Sequence, residues 1–228
     1  MDVMSKSNPP RQGAAAAAAV SALALALAPQ ASAAPAKPVV TVLGDSITSG
    51  YGLPASQALP VQLRTALGRM KLDAEVRNAG ISGDTTAGGL ARVDRSVRSD
   101  TDVCVVALGA NDLLRGVDPR RTQANLNAIV NRLKARHIDV VIAAGKVPFG
   151  LSGQYVRSFD AVFANVARIN HVPLAPDLLA GIESNAGLKQ ADGLHPNARG
   201  VKLIAARLAP TVASALKQAG RRNLVASR

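Results

Sequence analysis

A serine, a histidine and a carboxylate with the chemistry to act together lie in two distant stretches of the chain. Ser46 belongs to the turn Gly44-Asp45-Ser46-Ile47, and Asp192 and His195 belong to the stretch Asp192-Gly193-Leu194-His195-Pro196. Serine is a weak nucleophile unless a base takes its proton and a third group orients that base. His195 suits the role of base near neutral pH, and Asp192 is close enough along the chain for one turn to aim its carboxylate at the imidazole. These side chains therefore fit nucleophilic attack on an acyl carbonyl.

Such an attack also needs hydrogen-bond donors that are already in place for the negative oxygen. The backbone N–H groups of Ser46 and Gly83 are candidates because both residues precede segments of helical period, where amides lack partners. Asn111 offers a side-chain amide. Taken singly, each residue has a simpler explanation, since Ser46 and Gly83 suit ordinary turns and Asn111 can satisfy local backbone. Structural hydrogen bonding of this kind is what we expect of Asp45, Asp84 and Asp112.

The elements that must position these residues follow an alternating pattern. Short apolar runs alternate with segments of helical period, which predicts parallel β-α-β units and an α/β fold. The predicted strands are residues 39–43, 74–77, 102–108, 138–144 and 172–175. The predicted helices lie around residues 59–70, 90–97, 126–133, 159–169 and 198–216. The candidate residues follow strands one, two, three and five, and parallel strands bring those loops to one edge of the sheet.

The first 33 residues predict a cleaved signal peptide. Lys6 and Arg11 precede an uncharged run from Ala14 to Ala28, and Ala31-Ser32-Ala33 then forms a cleavage site of small residues. A membrane anchor is less favoured because that run falls short of the roughly 20 apolar residues that span a bilayer. We expect a protein that is periplasmic or secreted, with a single domain over residues 34–228.

The chain is strongly basic, with a formal net charge of +12. The Lys and Arg residues form no dense run and only 2% of residues are aromatic, so we do not expect nucleic-acid binding. Peripheral contact with an anionic membrane surface stays open. Cys104 is the only cysteine, which excludes an internal disulfide. The three histidines show no metal-ligand spacing, so neither a metal nor another cofactor is expected.

Four blocks taken together resemble the SGNH, or GDSL-type, hydrolases. They are Gly44-Asp45-Ser46-Ile47, Ile81-Ser82-Gly83-Asp84-Thr85, Gly109-Ala110-Asn111-Asp112 and Asp192-Gly193-Leu194-His195-Pro196. Ile47 replaces the leucine of the name-giving motif conservatively. Over residues 38–217 the chain looks like the secreted thioesterase I/lysophospholipase L1 and arylesterase branch.

The resemblance implies a role for each candidate residue and a fold. Ser46 would be the nucleophile, Asp192 and His195 would complete the triad, and Ser46, Gly83 and Asn111 would form the oxyanion hole. The implied fold is three-layer α/β/α with a parallel, flavodoxin-like sheet of about five strands. The α/β-hydrolase alternative is disfavoured because Gly-x-Ser-x-Gly is missing and because Asp192 and His195 share one loop.

We therefore expect an exported, monomeric serine esterase that needs no cofactor and acts on aryl esters, acyl thioesters or lysophospholipids. Two alternatives stay open: a carbohydrate O-acetyl esterase on the same scaffold, and a non-catalytic basic module that binds anionic envelope surfaces. Ordinary loop packing competes with a role in acyl selectivity for five apolar residues, which are Leu113, Leu114, Pro148, Phe149 and Leu151.

Overall fold

The computed structural model of the chain describes residues 1–2, 37–144 and 153–226, with side chains described up to residue 222. The chain divides into two units, Met1–Pro35 and Ala36–Arg228. The predicted signal peptide lies outside the described residues apart from its first two, so it stays a prediction.

A parallel sheet of four strands forms the centre of the second unit, in the order β2-β1-β3-β4. The strands are β1 (Val39–Gly44), β2 (Glu75–Gly80), β3 (Val103–Ala107) and β4 (Asp139–Ile142). The predicted second strand, residues 74–77, is too short, because pairing with β1 continues through Asn78, Ala79 and Gly80. β2 therefore extends as far as β1 does, since its last residue, Gly80, pairs with Gly44, the last residue of β1.

Seven α-helices connect and flank the strands in the described part of the chain. They are α1 (Ser46–Ser49), α2 (Leu59–Arg69), α3 (Thr86–Ser96), α4 (Ala110–Leu114), α5 (Pro119–Ala135), α6 (Gln154–Asn170) and α7 (Ala198–Ala226). Pro60 and Pro119 lie in the first turns of α2 and α5, where a missing N–H breaks no helical bond. The long helices confirm the predicted helical periods, although α7 runs ten residues beyond its predicted end at Leu216.

The predicted fifth strand is reduced to one isolated parallel bridge between Ile142 and Leu174. Two backbone hydrogen bonds hold it, from Ile142 N–H to the Pro173 carbonyl and from Ala175 N–H to the Ile142 carbonyl. Pro173 has no N–H to donate to β4, so the ladder cannot extend toward the start of that strand. The sheet therefore has four strands instead of about five.

Two apolar clusters on opposite faces of the sheet confirm the three-layer α/β/α architecture. Alternate residues of β3 point to opposite faces, so Val103 and Val105 join one cluster while Cys104 and Val106 join the other. The first cluster packs against α2 and α7, and the second against α3, α5 and α6. Cys104 is fully buried, as expected of a small apolar residue in a central strand. Within residues 37–144 and 153–226, no helix combines the length and apolarity that crossing a membrane requires.

Candidate active site

Ser46 is the first residue of the short helix α1, directly beyond the carboxyl end of β1. Asp45 caps this helix because its Oδ1 accepts the Ile47 N–H at 3.0 Å. The helix ends after one turn at Gly50, whose left-handed backbone (φ 80°) suits glycine. This tight turn holds Ser46 at the carboxyl edge of the sheet.

The loop that carries Asp192 and His195 folds back onto Ser46. His195 Nε2 lies 2.9 Å from Ser46 Oγ, and His195 Nδ1 lies 2.6 Å from Asp192 Oδ2. Asp192 Oδ1 also accepts the backbone N–H groups of Leu194 and His195, at 2.9 and 3.0 Å. The carboxylate is therefore fixed on its own loop while it orients the imidazole. The structure thus brings the three predicted residues into one hydrogen-bonded line.

The two carboxyl groups of the site have opposite electrostatic environments. Burial works to raise the pKa of Asp192, but hydrogen bonds from His195 and from two backbone amides outweigh it and lower that pKa. Burial raises the pKa of Asp45 to about 6, although the Ile47 N–H and the nearby His195 act to lower it. Asp192 is therefore the better anion to stabilise a protonated imidazole.

Three groups at the predicted positions can donate hydrogen bonds to an oxygen near Ser46. Ser46, Gly83 and Asn111 line the same cavity. The N–H groups of Ser46 and Gly83 donate to no other group within the described residues. Asn111 Nδ2 donates to the Asp84 carbonyl at 3.0 Å and makes a long contact of 3.5 Å with Asp45 Oδ2. One of its two amide hydrogens is thus firmly held, and the other is only weakly engaged.

The aspartates predicted to be structural make structural bonds. Asp112 accepts hydrogen bonds from the backbone and hydroxyl of Thr86 and from the Thr122 hydroxyl. Asp84 accepts the Thr85 N–H and pairs with Arg92. The bonds of Asp112 join α3, α4 and α5, behind the loop that carries Gly83 and the helix α4 that carries Asn111.

The cavity next to Ser46 has a volume of about 190 Å³ and a mainly apolar wall. That wall is formed by Ile47, Tyr51, Ala110, Leu114, Leu179 and Leu194. The Tyr51 ring lies against the His195 imidazole, with ring centroids 4.7 Å apart. A compact apolar space beside a hydroxyl and free N–H donors suits the acyl part of an ester.

The apolar wall differs from the residues predicted to select the acyl group. Leu114 lines the cavity, whereas Leu113 is buried in the core because it lies on the inner side of α4. Pro148, Phe149 and Leu151 lie outside the described residues. Sequence reasoning missed Tyr51 and Leu194, although both are within five residues of Ser46 or His195. Leu179 could not be predicted as a cavity residue, because the loop that contains it carries no sequence motif.

A model of the GDSL-like Lipase/Acylhydrolase family matches residues 42–203 of the chain. That span contains all five predicted site residues, which are Ser46, Gly83, Asn111, Asp192 and His195. The chain belongs to this family. As a GDSL-like hydrolase it is an ester hydrolase of the serine type, and the order of the predicted blocks agrees with that membership.

Individual GDSL-like relatives match over most of their length. The esterase TesA of Pseudomonas aeruginosa is 36% identical over 162 residues, which cover 71% of this chain and 81% of that protein. The thioesterase 1/protease 1/lysophospholipase L1 of Escherichia coli K12 is 33% identical, covering 72% of this chain and 78% of that protein. The crystal structure of AlinE4, an SGNH-hydrolase family esterase, is 36% identical with a TM-score of 0.66, covering 79% of this chain and 97% of that one.

Metal-binding side chains do not cluster in the part of this hydrolase that the structure describes, where no group of three or more His, Cys, Asp or Glu residues is arranged to hold an ion. His137 and His171 follow α5 and α6 at the ends that precede β4 and the isolated bridge, far along the chain from Ser46.

Proposed function

We propose that Ser46 is the nucleophile of an exported serine esterase that hydrolyses carboxylic esters and thioesters through an acyl-enzyme. The observation that carries this proposal is the 2.9 Å contact between Ser46 Oγ and His195 Nε2 at the wall of an apolar cavity. His195 takes the hydroxyl proton while Ser46 Oγ bonds to the acyl carbon. Asp192 stabilises the imidazolium that forms.

The carbonyl electron pair moves onto oxygen in this step, and the resulting oxyanion needs donors. In the proposal these are the N–H groups of Ser46 and Gly83 and the less engaged amide hydrogen of Asn111. Collapse of the tetrahedral intermediate breaks the bond to the leaving oxygen or sulfur, which receives the proton from His195. Water then attacks the acyl-enzyme with His195 as base, releasing the acid and restoring Ser46.

The proposed substrates are aryl esters, acyl thioesters and lysophospholipids. The apolar wall of the cavity supports an acyl chain longer than acetyl, because burying such a chain removes apolar surface from water. The names of the relatives support esters and thioesters as a class. Hydrolysis of acetyl esters alone would instead favour the carbohydrate O-acetyl esterase.

The location and partners of the enzyme are part of the same proposal. We take it to be a monomer released into the periplasm or the medium after cleavage near Ala33. The N-terminal sequence of the protein recovered from those fractions tests the export step. The net charge of +12 supports peripheral contact with an anionic membrane surface.

The decisive experiment compares wild type, Ser46→Ala and Ser214→Ala on p-nitrophenyl esters and acyl thioesters from acetyl to palmitoyl. Ser214 is an exposed serine of α7 and serves as the matched control. We expect Ser46→Ala to lower kcat by more than about 10⁴-fold, as loss of a serine nucleophile does, and Ser214→Ala to leave it unchanged. Full activity of Ser46→Ala would refute the proposed nucleophile.

A further inference from the structure

Exposed apolar side chains are concentrated around the opening of the Ser46 cavity. Tyr51, Ile81, Leu114 and Leu194 are 53%, 51%, 45% and 37% exposed, and they are four of the seven large apolar residues exposed within residues 37–144 and 153–222. Three of them line the cavity, and Ile81 precedes Ser82, which also lines it. We call these four residues the apolar rim. Exposed apolar side chains that lie together mark an interaction surface, whereas scattered ones do not.

An exposed cation lies beside the rim. Arg115 is exposed next to Leu114, and its guanidinium donates to the Gly83 carbonyl at 2.8 Å, so it stands over the loop at the opening. Of the carboxylates nearby, Asp84 is paired with Arg92, Asp45 is buried, and Asp192 is hydrogen-bonded to His195. A partner that covers the rim therefore meets a positive charge at its edge.

The position of the rim limits what that partner is. Any substrate reaches Ser46 through the opening that the rim surrounds, so a second copy of the protein seated there would close the cavity. A duplex nucleic acid or an acidic polysaccharide would match the charge but presents mainly polar surface, so it would not cover the rim. A lipid surface satisfies both requirements, because acyl chains cover apolar side chains while anionic headgroups attract cations.

We propose that the apolar rim docks the protein on an anionic lipid surface, which presents an acyl chain directly to the cavity. This inference rests on the proposed esterase function and adds the face that makes contact. Ile81 carries the test because it belongs to the rim without lining the cavity, so changing it leaves the groups around Ser46 in place.

The test measures binding to sedimented vesicles in a Ser46→Ala background, so that no lipid is hydrolysed. Vesicles of phosphatidylcholine alone are compared with vesicles that also contain phosphatidylglycerol, at low and high salt. Ile81→Asp is matched with Ile169→Asp, since Ile169 is 47% exposed on α6, far along the chain from the rim. Both variants add the same charge, so only the position differs.

We expect the Ser46→Ala protein to bind the anionic vesicles in a salt-sensitive way, with Ile81→Asp weakening binding by about tenfold or more and Ile169→Asp leaving it unchanged. Equal binding by both aspartate variants, or an equal loss in both, would overturn the proposal. So would a dimer in light scattering that Ile81→Asp dissociates, because the rim would then join two copies.

The two proposals fail separately in this design. Docking does not require catalysis, and hydrolysis of a soluble short-chain ester does not require a lipid surface. In the wild-type background, Ile81→Asp should therefore keep its activity on the soluble ester. Vesicle binding without any esterase activity in the wild type would remove the proposed function and leave the docking face.

Discussion

Arg92 and Asp84 form an ion pair buried behind the segments that carry Ser46 and Gly83, with Arg92 Nε 2.7 Å from Asp84 Oδ2. The guanidinium also donates to the Gly44 carbonyl at 3.0 Å and to the Ala79 carbonyl at 2.8 Å. Arg92 thereby ties the ends of β1 and β2 to the loop that contains Gly83. Because the Asp84 carbonyl accepts the Asn111 amide, all three proposed oxyanion donors lie on segments joined to this one side chain.

We predict that replacing Arg92 harms both stability and catalysis. Arg92→Met leaves Asp84 as an unpaired buried carboxylate, which should lower the free energy of unfolding by about 3–5 kcal/mol. Arg92→Lys keeps the charge, so it should lower the free energy of unfolding less than Arg92→Met does. Because it loses the planar fork, it should still lower kcat by about tenfold or more, with little change in KM. Urea unfolding and steady-state kinetics on a p-nitrophenyl ester measure these effects.

Arg132→Met is the control for the ion pair itself, because Arg132 pairs with Asp94 on the surface. Its effect on stability should stay within about 1 kcal/mol. If Arg92→Lys had the kcat of wild type, Arg92 would not position the oxyanion donors.

Two glycines, one in a crowded position and one in an open position, give a second prediction. A Cβ at Gly80 would lie 2.4 Å from the Ser49 nitrogen in the backbone of α1, whereas a Cβ at Gly68 in α2 meets nothing within 4 Å. Gly80→Ala should therefore push α1, which carries Ser46, lowering stability by about 1–3 kcal/mol and reducing kcat. Gly68→Ala should raise the free energy of unfolding by roughly 0.5–1 kcal/mol and leave kcat unchanged. Urea unfolding and steady-state kinetics measure both variants. Equal effects of the two changes would contradict the close approach of β2 to α1.

The parts of this site that sequence reasoning could predict are those that follow strands. Ser46, Gly83, Asn111 and His195 each come after a recognisable strand or apolar segment, and parallel topology alone brings such loops together. Their positions in the structure agree with that expectation. The catalytic roles assigned to them remain predictions until variants are assayed.

The parts that escaped prediction depend on contacts between distant residues. Arg92 bonds to Gly44, which is 48 residues away, and to Ala79, 13 residues away, so no local pattern reveals that it is buried. The missing fifth strand depends on Pro173, which blocks a ladder with β4, a segment distant along the chain. Leu179 reaches the cavity through the path of a long loop, and local spacing does not encode that path.

The raised pKa of Asp45 predicts how stability depends on pH. The folded value of about 6 lies above the ordinary value of 3.8, so between these two pH values the folded state binds more protons than the unfolded state. The contribution of Asp45 to the free energy of unfolding therefore falls, by about 3 kcal/mol, as the pH rises from 4 to above 6.

Asp45→Asn should remove this contribution, because the amide keeps an oxygen for the Ile47 N–H but does not ionise. Urea unfolding at pH 4.5 and 7.5 should then show a smaller loss of stability with rising pH than in wild type. Asp73→Asn, at an exposed carboxylate paired with Lys37, is the control and should keep the wild-type difference. An unchanged pH dependence in Asp45→Asn would mean that another group titrates.

Gln190 joins the segment that carries Ser46 to the loop that carries His195. Its Nε2 donates to the Tyr51 carbonyl at 2.8 Å and to the Pro196 carbonyl at 3.0 Å. Its backbone N–H donates to the His195 carbonyl at 2.8 Å. Within the described residues, the bond to Tyr51 is the only direct hydrogen bond between residues 45–53 and 189–197 apart from the contact of Ser46 with His195.

Loss of this connection should slow catalysis more than it weakens folding. Gln190→Ala frees the His195 loop to shift relative to Ser46, so we expect kcat to fall by about tenfold or more with little change in KM. Gln190→Glu should be slower still, because it turns an oxygen toward two carbonyl groups that need a donor. Gln218→Ala, at an exposed glutamine of α7, is the control for steady-state kinetics. If the kcat of Gln190→Glu equalled that of wild type, the alignment of His195 with Ser46 would not depend on the Gln190 amide.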